Sequence, residues 1–326
     1  MDRRRALATL LALPACRPKA LPAPGVSEER PTPYASTGAS SAAPVASIEP
    51  EPPPYPTDTP VKLLANGELS AHEWILPAPF HRAVVLVPRH LDKHARVPML
   101  VALHGLGETV DDKMGAWAWV ERYGVHEGYA HARAPDTISV ASLGKMATET
   151  RVAEIRAELA ARPFGGMVVV CPYTPNIWKG DPEAIVDAYT TWLFEKLIPR
   201  VRNTCPVNAT LGIDGVSLGG WVSLGVGVRR TAELASIGCV QAAVSGDSPY
   251  GARLAKAFAA AGKRPLHLLT SDQDVFRGPV EQLSAGLNKR AVPHVLRVAK
   301  GPHDQPFLRG PGSLEMLLFQ ARALGG

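Results

Sequence analysis

The stretch Ala209-Thr210-Leu211-Gly212-Ile213-Asp214-Gly215-Val216-Ser217-Leu218-Gly219-Gly220-Trp221 decides how the chain is read. Its first half is a strand-like apolar run and its second half opens a helix-like segment. Between them, Gly215-x-Ser217-x-Gly219 has the spacing at which a serine rides a sharp strand-to-helix turn. Glycines flank such a turn because two backbone segments approach closely, and a Cβ at either position collides. The turn pushes the serine hydroxyl into a cleft and leaves the Leu218 amide at a helix N-terminus, facing an anion. A glycine-rich turn with an ordinary surface serine has the same five residues, so the rest of the chain must discriminate.

Upstream, Val97 to Leu103 is a continuous apolar run, as expected of a strand buried on both faces. It ends in His104-Gly105-Leu106-Gly107-Glu108-Thr109. Glu73 to Leu76 and Ala83 to Pro88 read as earlier strands, and Gly166 to Cys171 leads into Pro172-Tyr173-Thr174-Pro175. Downstream, the pattern predicts strands at Ile237 to Val244, Pro265 to Thr270 and Pro293 to Val298. Helices are predicted at Asp111 to about Gly128, Pro182 to Arg202 behind the cap Asp181, and the elbow to about Leu234. Others are predicted at Ala252 to Ala261, Gly278 to Asn288 and Ser313 to Ala323. Alternation of strand and helix implies an α/β fold. Its sheet is mostly parallel, with about eight strands and helices on both faces, in one domain over 61–326. The segment from Ala130 to Pro163 exceeds a simple crossover and includes a helix at Arg151 to Ala161. Insertions of this kind often wall a ligand cleft. Trp117, Trp119, Tyr123 and Tyr129, just before it, either belong to that wall or are packing residues.

Composition narrows the classes further. With 326 residues, 46% hydrophobic and 20% charged, the chain can bury a large core. The formal charge of +5 is modest and sits partly in Arg3-Arg4-Arg5; no basic stripe interleaved with aromatics points to nucleic acid. No apolar run is long enough to span a bilayer. Residues 1–16 have the layout of a secretory signal: the arginines, the apolar Ala6 to Leu13, then Leu13-Pro14-Ala15-Cys16. The cysteine after a small residue resembles a bacterial lipobox, and the paired arginines a twin-arginine signal. The expectation is export, as a lipoprotein anchored through Cys16 or as a secreted protein after plain cleavage. Membrane contact is then through that anchor alone. Residues 17–60, rich in Pro, Ala, Ser and Glu, read as a disordered, extended linker.

A serine needs a base within hydrogen-bond reach, a group to orient that base, and donors aimed at the developing oxyanion. The pattern Val101-Ala102-Leu103-His104-Gly105, followed by Gly215-Val216-Ser217-Leu218-Gly219-Gly220, resembles the serine esterases of the α/β-hydrolase superfamily. The similar group includes esterase D, acetylxylan and feruloyl esterases, and polyhydroxybutyrate depolymerase. The resemblance covers about residues 70 to 326. It implies a carboxylic ester hydrolase with Ser217 as nucleophile and no cofactor or metal, acting on a small-molecule or polysaccharide-linked ester. It also implies Leu106 and Leu218 as oxyanion donors, and His104 with Gly105 shaping the oxyanion loop. In the superfamily order Ser, acid, His, the base is His303, in the loop after the last strand. The acid is Asp274 when Ser271 is set on the family's usual glycine; Asp272 and Asp247 are the alternatives. Tyr173 and Trp221, with Asn176 and Trp178, are candidates for the substrate pocket. In this fold Cys205 and Cys239 are expected near the amino ends of neighbouring strands, as a disulfide or as buried thiols. A serine peptidase of the same fold and an inactive surface-binding module are the competing readings.

Overall fold

The structure is a computed structural model that describes residues 61–64, 67–244, 249–262 and 264–325. The leader at 1–16 with Cys16, the linker at 17–60 and the candidate Asp247 lie outside the described residues. Nine strands make one sheet: β1 (Val61–Leu64), β2 (Leu69–Ile75), β3 (Arg82–Pro88), β4 (Val97–Leu103), β5 (Val168–Pro172), β6 (Val207–Gly215), β7 (Ser236–Val240), β8 (Leu266–Gln273) and β9 (Val295–Pro302). Their spatial order is β1-β2-β3-β5-β4-β6-β7-β8-β9. Pairing is antiparallel from β1 to β5 through β2 and β3, and parallel from β5 to β9. The sheet is therefore α/β and mostly parallel, with β1 added to the strands read from the sequence.

Among the described residues ten α-helices accompany them, beside shorter 3-10 and π turns: α1 (Asp112–Glu121), α2 (Val125–Arg133), α3 (Glu149–Ala161), α4 (Pro182–Trp192), α5 (Ile198–Thr204), α6 (Leu218–Arg229), α7 (Pro249–Ala261), α8 (Arg277–Asn288), the single turn α9 (Gln305–Phe307) and α10 (Ser313–Leu324). Where the sequence predicts one helix from Asp111, the chain forms two. Gly124 adopts a left-handed φ of 63° and separates α1 from α2. One π turn, Leu193–Leu197, joins α4 to α5.

Side chains alternate across the sheet and feed two cores. From β4, Val97, Met99, Val101 and Leu103 join Trp221 and Leu224 of α6 and Leu254 of α7 on one face. Leu100 and Ala102 face the other way, onto Trp119, Tyr129 and Leu317 from α1, α2 and α10. Both faces are thus covered, which is why β4 carries no polar residue.

The insertion packs along α10 and the end of β9. Arg151 of α3 pairs with the buried Glu315 of α10, Arg322 of α10 pairs with Glu158, and Met146 abuts Gly301 of β9. Trp117, Trp119, Tyr123 and Tyr129 are all buried in the second core.

The Cys205–Cys239 disulfide is not formed; Cys171, Cys205 and Cys239 are free, buried thiols. Register explains it. Gly212 pairs with Ser236 and Val216 bridges Val240, which sets Cys239 level with Gly215, at the carboxyl end of β6. Cys205 precedes the amino end of β6, roughly 30 Å away at about 3.3 Å per residue, far beyond disulfide reach.

Candidate active site

The carboxyl ends of the parallel strands bring the chemistry together, as expected where loops crown such a sheet. β6 ends at Gly215, directly beside Leu103 at the end of β4. The chain then turns through Ser217, whose φ of 54° and ψ of −113° depart from the ordinary regions of an L residue. Three backbone bonds hold that turn: Val216 N–H to Leu103 O at 3.0 Å, Ser217 N–H to Val240 O at 2.9 Å, and Ala243 N–H to Ser217 O at 2.9 Å. The elbow is therefore fixed to both neighbouring strands. A Cβ on Gly219 would collide with the carbonyls of Leu103 and His104, and one on Gly215 with the carbonyl of Gly219. That crowding is the physical content of the two motif glycines.

His303 follows β9 and reaches the elbow. Its Nε2 lies 3.1 Å from Ser217 Oγ, and its Nδ1 lies 2.8 Å from Asp274 Oδ1. The Asp274 carboxylate is fully enclosed, while the imidazole is about a quarter exposed. Asp274 also accepts from Thr270 Oγ1 at 2.7 Å and from Phe276 N–H at 3.0 Å. With its oxygens so engaged it remains an acceptor for Nδ1–H, which leaves Nε2 free to accept from Ser217. The Phe276 ring meets the imidazole edge-on at 5.3 Å.

Of the two alternatives for the acid, only Asp272 is among the described residues, and it bonds elsewhere. Asp272 accepts the Gly301 N–H at 2.8 Å. Asp304 caps α9 by accepting the Phe307 N–H at 2.9 Å. Asp247 lies outside the described residues.

Leu106 and Leu218 each open a helical turn, a position whose N–H has no carbonyl four residues back. Their loops adjoin, since a Cβ on Gly105 would stand 3.7 Å from Ser217 Cβ. His104 holds this loop from inside. Its ring is fully buried; Nδ1 lies 2.8 Å from Gly105 O, and Nε2 accepts from Thr174 N–H at 2.8 Å. The second bond requires an unprotonated Nε2, so the ring is neutral with its proton on Nδ1. Burial pushes its pKa down to about 4, in keeping with that tautomer.

Tyr123 and Glu108 extend the scaffold. The Tyr123 hydroxyl accepts from Gly105 N–H at 3.2 Å and donates to the buried Glu108 carboxylate. Tyr173 packs its ring against His104 and donates to Thr109 O at 2.9 Å. Trp221 is stacked on Tyr250 at 4.2 Å and meets the exposed Trp178 edge-on at 5.8 Å. Asn176 caps the short turn that carries Trp178. Among the described residues, no three His, Cys, Asp or Glu side chains converge as a metal site requires.

No protein-family model matches this sequence, and no curated protein matches it either. Solved structures do. An S-formylglutathione hydrolase from Agrobacterium tumefaciens superposes with a TM-score of 0.58 at 13% identity, over 81% of this chain and 99% of its own. A ferulic acid esterase gives 0.54 at 17% identity, over 77% and 98%. A ferric enterobactin esterase from Salmonella typhimurium gives 0.53 at 15% identity, over 86% and 64%. Such identities speak to architecture, and together with the sheet order and the turn at Ser217 they establish that the chain has the α/β-hydrolase fold.

Proposed function

We propose that the protein is a serine carboxylic ester hydrolase working through Ser217, His303 and Asp274. The observation that carries this reading is the linear relay of 3.1 Å from Ser217 Oγ to Nε2 and 2.8 Å from Nδ1 to Asp274. His303 takes the hydroxyl proton as Ser217 attacks the ester carbonyl, and Asp274 holds the imidazole tautomer and stabilises the imidazolium. The Leu106 and Leu218 amides donate to the tetrahedral oxyanion. The imidazolium then returns its proton to the leaving alcohol, and the acyl group stays on Ser217. Water, deprotonated by His303, releases the acid and restores the serine. The names of the structural neighbours, all acting on ester or thioester carbonyls, support the same class.

The leader adds a location. Arg3-Arg4-Arg5, the apolar run behind it and Ala15-Cys16 favour an exported enzyme tethered by a lipid on Cys16, with residues 17–60 as spacer. Hydrolysis of p-nitrophenyl acetate tests the activity. Ser217→Ala lowers kcat by on the order of 10⁶ while the melting temperature stays put; a variant that still turns over at the wild-type rate defeats the reading.

A further inference from the structure

The two residues before His303 are each held by a side chain from outside β9. Gln241 directly follows β7 and adopts a φ of 47°, a left-handed conformation that glutamine seldom takes. It is completely buried, and its own N–H is tied to Leu269 O on β8 at 2.6 Å. Its side-chain amide spends both of its protons on the site's frame. Nε2 donates to Ser271 Oγ at 2.7 Å and to Pro302 O at 2.9 Å.

From the end of β8, Asp272 Oδ1 accepts the Gly301 N–H at 2.8 Å. Gly301 itself has a φ of 139°, open to glycine and strained for anything else. Pro302, next in line, has a fixed φ and no N–H to lose. One donor and one acceptor therefore hold the two peptide groups on either side of the Gly301–Pro302 bond, immediately ahead of the base. These bonds go to the backbone of the base loop and to Ser271, not to the imidazole, Ser217 or Asp274.

We propose that Gln241 and Asp272 are positioning residues, which together fix the Gly301-Pro302 backbone and so set the reach of the His303 imidazole toward Ser217. The inference rests on reading Ser217, His303 and Asp274 as the hydrolytic centre. It gives a reason for a buried amide at a strained position and for a second aspartate two residues from the acid. A relay of this kind is sensitive to placement, since an error of about 1 Å costs roughly 10²-fold in rate.

Three variants test it, each measured for kcat and KM on p-nitrophenyl acetate and for the downfield proton resonance of the His303–Asp274 hydrogen bond. Gln241→Met keeps the volume and removes both donors. It is expected to lower kcat by roughly 30- to 100-fold with KM within about twofold, and to broaden or shift the downfield resonance. Asp272→Ala is expected to lose about tenfold in kcat, and Asp272→Asn, which keeps the acceptor, to recover to within about threefold of wild type. Asp272 is exposed, so its two variants decide the matter even if Gln241→Met folds too poorly to assay. Unchanged kcat and resonance with only a lowered melting temperature would mean a purely structural role and overturn the proposal. So would Asp272→Asn as impaired as Asp272→Ala, which makes the charge and not the acceptor essential. If the wild-type protein neither turns over esters nor reacts at Ser217, the hydrolytic reading itself has failed, and this inference falls with it.

Discussion

The choice between two aspartates shows what a residue's neighbours decide that its sequence position does not. Asp272 and Asp274 stand two apart at the carboxyl end of the same strand, and either lies close enough to that end to be the acid. The strand's irregular pairing with β9, where the register shifts between Ser271 and Gln273, sends them to different partners. Asp274 turns inward to Nδ1 of His303, while Asp272 stays at the surface and holds Gly301. Asp274→Asn is expected to lower kcat by about 10³- to 10⁴-fold, because an amide favours the wrong imidazole tautomer. A loss below tenfold in steady-state assays would place the acid elsewhere. The scaffold roles of Gln241, Tyr123, Glu108 and Thr270 are illegible in the sequence for a related reason. Each acts through a contact 4 to 61 residues away in the chain, and none belongs to a spaced motif.

At the level of elements, burial on both faces is what makes a strand readable. Val97 to Leu103 is entirely buried and its predicted bounds coincide with β4. β7 stops at Val240, although the apolar run continues to Val244, because Gln241 leaves the strand conformation while Ala242 and Val244 remain buried. At the sheet edge the opposite holds. β9 runs to Pro302 with most of its residues partly or fully exposed, and Lys300-Gly301-Pro302 looks like a loop. The same strands enclose a polar network behind the elbow. Asp214 accepts from Gly215 N–H at 2.8 Å and from Gln320 Nε2 at 2.9 Å, and Gln320 in turn accepts from Ser236. Burial pushes the Asp214 pKa up from 3.8 to about 7. The unfolded chain therefore ionises this carboxyl across pH 4 to 7 while the folded protein keeps it protonated. Stability contributed by the protonated form is complete below pH 4 and is lost as pH rises toward 7, a penalty on the order of 4 kcal/mol. Asp214→Asn, with the Gln320 amide turned over to accept from it, should be more stable than wild type at pH 8 and equal to it near pH 4. Urea unfolding at pH 4, 6 and 8 measures this, and a difference independent of pH would contradict it.

Across the whole molecule, the groups of the site arrive from four strand ends spread over two hundred residues: His104 after β4, Ser217 after β6, Asp274 after β8 and His303 after β9. The fold class was legible because a buried parallel sheet writes itself as apolar runs separated by helices. The insertion's placement was not, since amphipathic helices alone do not say which side of a sheet they cover; here α3 docks on α10 through Arg151 and Glu315. The central claim is that one serine among all those in the chain is activated, and that His303 activates it. Treating the folded protein with a fluorophosphonate and mapping the adduct by mass spectrometry tests this most directly. A single adduct on the peptide containing Ser217, formed at least about 10³-fold more slowly in His303→Ala, is the predicted result; no adduct, one on another residue, or equal labelling of His303→Ala would contradict it.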